Sequence, residues 1–166
     1  MLLRTLLSAA IVAVLAQPAA AQPAGDPLAR LVGCWQAKGT VEGEPADSTL
    51  VVEPRLGGKF ALFRLSSVDR SDAYDAEVTV GTTEGGRVRA FWTDTFGVPG
   101  AVQGDGQVEG DGLLIDYPYT DAVFRNRIVP STGGWRWTID AVANETRRPF
   151  AEYTLTPMPC PAGAAD

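Results

Sequence analysis

From Val32 to Thr156 apolar and polar residues alternate with period two, and glycine-bearing turns interrupt the alternation at short intervals. That period places successive side chains on opposite faces of a strand. Ten segments carry it: Val32–Val41, Thr49–Glu53, Lys59–Ser66, Tyr74–Thr82, Arg87–Thr95, Ala101–Val108, Leu113–Tyr119, Ala122–Val129, Trp135–Ala143 and Phe150–Thr156. Leu56-Gly57-Gly58, Glu84-Gly85-Gly86, Glu109-Gly110-Asp111-Gly112 and Thr132-Gly133-Gly134 supply the positive-φ positions of tight hairpins. Outside the N-terminal leader no helical period persists beyond two turns; Asp26–Leu31 has room for a single turn.

Short antiparallel strands in series leave two edges to hide. Closure into a barrel removes them; a sandwich or open half-barrel is the alternative. The two cysteines, Cys34 and Cys160, choose between these. An even count in an exported chain favours a disulfide, and in an up-and-down barrel the first and last strands are neighbours. A bridge across so long a loop contributes on the order of 4–5 kcal/mol in the chain-entropy picture. The expected fold is therefore all-β, an antiparallel up-and-down barrel of about ten strands.

Export is read from residues 1–21. Arg4 gives a positive start, Leu6 to Ala16 an apolar core, and Ala19-Ala20-Ala21 a small-residue cleavage site. The core is too short to span a membrane as a helix. The expected layout is a signal peptide (1–21), a linker with a possible helical turn (22–30), the barrel (31–157) and a tail (158–166), in a bacterial periplasmic or secreted protein. Leu31-Val32-Gly33-Cys34 spells a lipobox, but Gln22, Asp26 and Arg30 separate it from the apolar core, so lipidation is rejected. With 14 Lys+Arg against 20 Asp+Glu, the chain is a poor partner for nucleic acid or an anionic membrane. No membrane insertion is expected after cleavage, and the oligomeric state is not legible.

The first strand defines an inside. Gly33, Trp35, Ala37, Gly39 and Val41 share one face, and the opposite face is polar apart from Cys34, which points outward towards a returning tail. The same rule sends Tyr74-Ala76-Val78-Val80, Val88-Ala90-Trp92-Asp94 and Trp135-Trp137-Ile139-Ala141 inward. Many of these are small, and a ten-stranded barrel is wider than the eight-stranded kind that side chains just fill, so a cavity is expected. A barrel filled by its aromatics is the competing reading. Gly33 is expected to permit close backbone approach at the barrel's foot.

Taken in order, Gly33-x-Trp35, Leu56-Gly57-Gly58-Lys59-Phe60, Tyr74-Asp75 and Phe91-Trp92-Thr93-Asp94-Thr95-Phe96-Gly97 resemble the bacterial domain of unknown function 1579 family. Ala73 and Thr95 depart from its pattern, where Gly and Ser are usual. That family is similar in fold to the calycins: lipocalins, fatty-acid-binding proteins and nitrobindins. The resemblance implies that Trp35 closes one end of the barrel, near an arginine from a late strand, for which Arg136, Arg147 and Arg148 are candidates.

The chain has no histidine. That removes the usual haem and zinc ligand and the usual general base. Tyr74, Tyr117 or Cys34 could ligate iron only without any supporting motif, so no cofactor and no metal are expected. The glycine-aspartate turns at 104–106 and 109–112 lack the spacing of a calcium loop. Asn144-Glu145-Thr146 is a glycosylation sequon by spelling only. Asp94, inward beside Trp92, must be paired if buried; Arg64, placed on the face of Phe60 and Leu62, is the expected partner. Arg125 and Arg127 are assigned to solvent, with Phe124 and Ile128 inward.

The expected function is non-catalytic binding of a small apolar or amphipathic molecule, with Tyr74, Trp92, Asp94, Tyr117, Trp137 and Arg64 lining the pocket. A structural or protein-interaction module of the envelope, with a filled barrel, is the alternative. An isomerase or hydrolase relying on Asp94 is a lesser one.

Overall fold

The computed structural model describes residues 26–69 and 73–161. The expected signal peptide and the last five residues of the tail lie outside them. The described chain opens with a single helical turn, α1 (Pro27–Leu31), capped by Asp26, whose carboxylate accepts from the Leu28 amide at 3.0 Å. Ten strands follow: β1 (Gly33–Val41), β2 (Glu44–Arg55), β3 (Phe60–Ser67), β4 (Asp75–Thr82), β5 (Arg87–Asp94), β6 (Val102–Glu109), β7 (Gly112–Pro118), β8 (Val123–Ser131), β9 (Gly134–Ala143) and β10 (Thr146–Pro157). Each pairs antiparallel with its sequence neighbours, and β1 closes on β10. The molecule is a closed up-and-down barrel, as the alternation predicts.

Two strands are longer than expected. β2 begins at Glu44, after a turn with Glu42 at φ 51° and Gly43 at φ 90°, and β10 begins at Thr146, after Asn144 at φ 49° and Glu145 at φ 63°. Positive φ at both central residues twists the backbone in the sense a two-residue hairpin needs. Pro45 and Pro149 disguise both strands, since proline weakens a strand reading. The sequon Asn144-Glu145-Thr146 is thus a hairpin turn.

Odd strands run away from one end of the barrel, the foot, and even strands return to it. At the foot, Leu28 and Leu31 of α1 are buried, and the Trp35 indole N–H donates to the Leu31 carbonyl at 2.8 Å. Cys34 points outward and is bonded to Cys160, with Cα atoms 5.1 Å apart; the Met158 amide donates to the Cys34 carbonyl at 2.9 Å, carrying the β1–β10 seam past the last strand. The arginine that packs on an indole here is Arg30, over Trp135 at 5.2 Å, and not a late-strand residue on Trp35. Arg30 also donates to the Asp111 carbonyl, so α1 is tied to the β6–β7 turn.

Gly33 is needed for its conformation, φ 140°, and not for close approach, because the nearest atom to an added Cβ would lie 4.0 Å away. Close approach is required at Gly39, where a Cβ would sit 1.7 Å from the Glu152 carbonyl oxygen. Above the foot the core is dense: Ala37, Leu50, Ala90, Leu113 and Leu155 are fully enclosed and Trp137 nearly so. No helix among the described residues is long and apolar enough to cross a membrane.

Candidate functional site

The mouth is the opposite end. There β5 ends at Asp94, the 95–101 loop turns through a short 3-10 segment (Val98–Gly100), and residues 119–122 link β7 to β8. Below these loops lies a cavity of about 770 Å³. Its aromatic lining comes from Tyr74, Trp92, Phe96, Tyr117, Tyr119, Phe124 and Phe150. Asp94 and Asn126 are the polar groups within it, and Asp121 and Arg148 stand on its rim.

Local backbone features make the space. On β6 the inward positions include Gly104, whose missing Cβ leaves room for the Tyr117 ring: an added Cβ would sit 2.6 Å from ring carbons. On β10 the register with β9 shifts between Pro149 and Ala151. One extra residue in a strand reverses which face the side chains before it address. Leu155, Tyr153 and Ala151 face the core, and beyond the bulge Phe150, Arg148 and Thr146 face the cavity.

The aromatics pack edge to face in two chains. Tyr119 meets Phe124 at 5.4 Å between ring centroids, and Phe124 meets Phe150 at 4.9 Å. Trp92 meets Tyr117 at 5.5 Å and Trp137 at 6.1 Å. Such contacts fix ring planes, and the cavity wall with them.

Asp94 sits where barrel gives way to loop. Its Oδ2 accepts from the Tyr74 hydroxyl at 3.1 Å and from the Trp92 indole N–H at 3.1 Å; its Oδ1 accepts from the Phe96 amide at 2.9 Å. None of the ion pairs found among the described residues involves it. Gly100 is pressed against this carboxylate, since a Cβ there would lie 2.2 Å from Oδ1. Burial, and then the charge of Asp94, drive the Tyr74 pKa well above that of a free phenol, so its hydroxyl remains a donor. Burial raises Tyr117 likewise. Tyr119, which donates to the Gly100 carbonyl at 3.0 Å, is pushed up to about 12 by burial and, secondarily, by Asp94.

Of the six residues read from sequence as pocket-lining, Tyr74, Trp92, Asp94 and Tyr117 border this cavity. Trp137 does not. It lies one inward position nearer the foot, donating to the Asn126 Oδ1 at 2.8 Å and backing Trp92. Arg64 is on the outside of the barrel, where it pairs with Glu53 at 2.6 Å. β3 is apolar on both faces, and the inward set is Ala61, Phe63 and Leu65 rather than Phe60 and Leu62. Asp94 therefore has neutral donors in place of the expected arginine. Arg125 pairs with Asp116 and Arg127 with Glu109 on the outer surface, as expected.

Phe150 and Arg148 are hidden by the bulge, whereas Tyr119 shares the alternation phase of Tyr117 and follows from it, although β7 itself ends at Pro118. Asn126 follows from the alternation that puts Phe124 and Ile128 inside, and was passed over because it lies between two arginines. No group of three or more potential metal ligands occurs among the described residues. Compared with models of known protein families and with curated proteins, the chain matches none.

Proposed function

We propose that this is an exported, non-catalytic barrel of lipocalin-like type that binds a small apolar or amphipathic molecule through its open mouth. The observation that carries this is the cavity: about 770 Å³, walled by aromatics and sealed from the foot by packed core. That volume falls within the range of small-molecule sites, which are mostly apolar with a few placed polar groups. The ordered motifs that resemble those of the domain of unknown function 1579 family agree with this reading, although no family model matches the chain. Export is supported by the leader sequence and by the Cys34–Cys160 bridge, a bond characteristic of oxidising compartments. Binding without catalysis fits Asp94, whose two oxygens are engaged by three fixed donors.

The test is titration of the protein with the neutral apolar fluorophore N-phenyl-1-naphthylamine, beside the variant Ala141→Trp. Ala141 is inward and borders the cavity, so a tryptophan there fills it. Saturable binding to the native protein and its loss in the variant is the expected result. No saturable binding, or equal binding by the variant, overturns the reading.

A further inference from the structure

The cavity's chemistry narrows its occupant. The charged groups bordering it are Asp94, Asp121 and Arg148, one more acid than base. Arg148 is at the exposed rim, its side chain 66% accessible, and faces Glu42 at 3.9 Å. Asp121 is exposed at the mouth. Asp94 alone is set into the aromatic wall, and no ion pair among the described residues includes it.

A carboxylate presents about four acceptor positions. Three are used by Tyr74, Trp92 and Phe96, which hold the group in place without neutralising it. The donors arrive from the strand edge and the loop. The indole that donates to Asp94 also contributes to the cavity wall, beside Tyr117 and in the same lining as Tyr119 and Phe124. Ring faces carry negative electrostatic potential, and a cation near several of them is stabilised, most strongly where water is excluded. The Tyr117 hydroxyl, which makes no hydrogen bond to the described residues, adds a further dipole able to turn its oxygen towards a positive charge.

We propose that the ligand is an amphipathic organic cation, an amine or quaternary ammonium whose charged head sits between Asp94 and the aromatic wall while its apolar body fills the cavity. This rests on the binding function proposed above and names the ligand's class. An anionic amphiphile such as a fatty acid would meet Asp94 instead of an inward arginine. A neutral apolar molecule would leave the charge of Asp94 unanswered.

The experiment compares three ligands of one chain length, decyltrimethylammonium, decan-1-ol and decanoate, each below its micellar concentration, by displacement of N-phenyl-1-naphthylamine. The expected order is cation, then alcohol, then anion, with the cation roughly tenfold or more tighter than the alcohol. Asp94→Asn should remove the cation's advantage over the alcohol. Because that variant could disturb the 95–101 loop, the native protein is also read at rising ionic strength, which should weaken the cation and not the alcohol. Equal affinity for all three overturns the charge assignment and leaves the apolar container standing. Tightest binding by decanoate overturns it in favour of Arg148. Displacement by none of them, with the fluorophore itself unbound, overturns both.

Discussion

At the foot of the barrel, polar groups of aromatic and basic side chains are spent on the chain itself: the Trp35 indole on the Leu31 carbonyl, the Arg30 guanidinium on Trp135 and Asp111. At the mouth, aromatic residues as large pack edge to face in chains that leave one side on the cavity. The same ten strands produce both ends. The difference lies in what is laid across each end. A buried helical turn and a disulfide-anchored tail cover the foot, whereas at the mouth the described residues include the 95–101 and 119–122 loops on the rim. Barrel diameter grows with strand number, and ten strands leave more to fill than the eight that side chains just fill.

If the foot is the stabilising half and the mouth the binding half, substitutions should separate the two properties. The largest effect is expected from replacing Cys34 and Cys160 together by alanine, which frees a loop with ends 126 residues apart. The loss should be roughly 2–5 kcal/mol, read by denaturant unfolding, with fluorophore affinity little changed below the transition. Next is Leu31→Ala, which opens a void under the plug; about 2–4 kcal/mol of stability should go, again with binding retained. A foot substitution that abolishes binding while the protein stays folded would break the division.

At the mouth the order reverses. Gly100→Ala forces a methyl group into the Asp94 carboxylate, so binding of decyltrimethylammonium should weaken severalfold while stability falls by about 1–2 kcal/mol. Unchanged binding would show that the position of Asp94 is immaterial. The smallest effect is alkaline. Tyr119 has a folded pKa of about 12 against the ordinary 10.0, so the fold holds its neutral form. That contribution is complete below pH 10 and is lost as the pH climbs through 12. Ultraviolet titration of Tyr119→Phe should lose one phenolate that forms ahead of those of the more deeply buried Tyr74 and Tyr117, and a Tyr119 that ionises near 10 would contradict its burial at the mouth.

The barrel was legible because alternation is enforced wherever one strand face is buried and the other wet, as in β1, β4, β5 and β9. It failed on β3, where Phe60 and Leu62 make the outer face as apolar as the inner one, and Arg64 was turned the wrong way. It failed again on β10, where the shift between Pro149 and Ala151 changes the phase of the pattern without changing its composition. Period alone carries no marker for a bulge. Asp94 was placed correctly on the inner face but its partners were not, since two come from a neighbouring indole and a backbone amide in a turn, groups with no charge pattern to read.

The pairing of β1 with β10 also sets the order in which this molecule comes into being. Every other strand pair joins sequence neighbours and can form as a local hairpin. The seam joins the two extremes of the barrel, so its loop-closure cost falls late and on one event. Until β10 docks, β1 presents a bare edge on which another chain can add a strand. A chain that crosses a membrane unfolded and N-terminus first would carry that edge until its last strand arrived, and Cys34 would wait with it for the only partner it has.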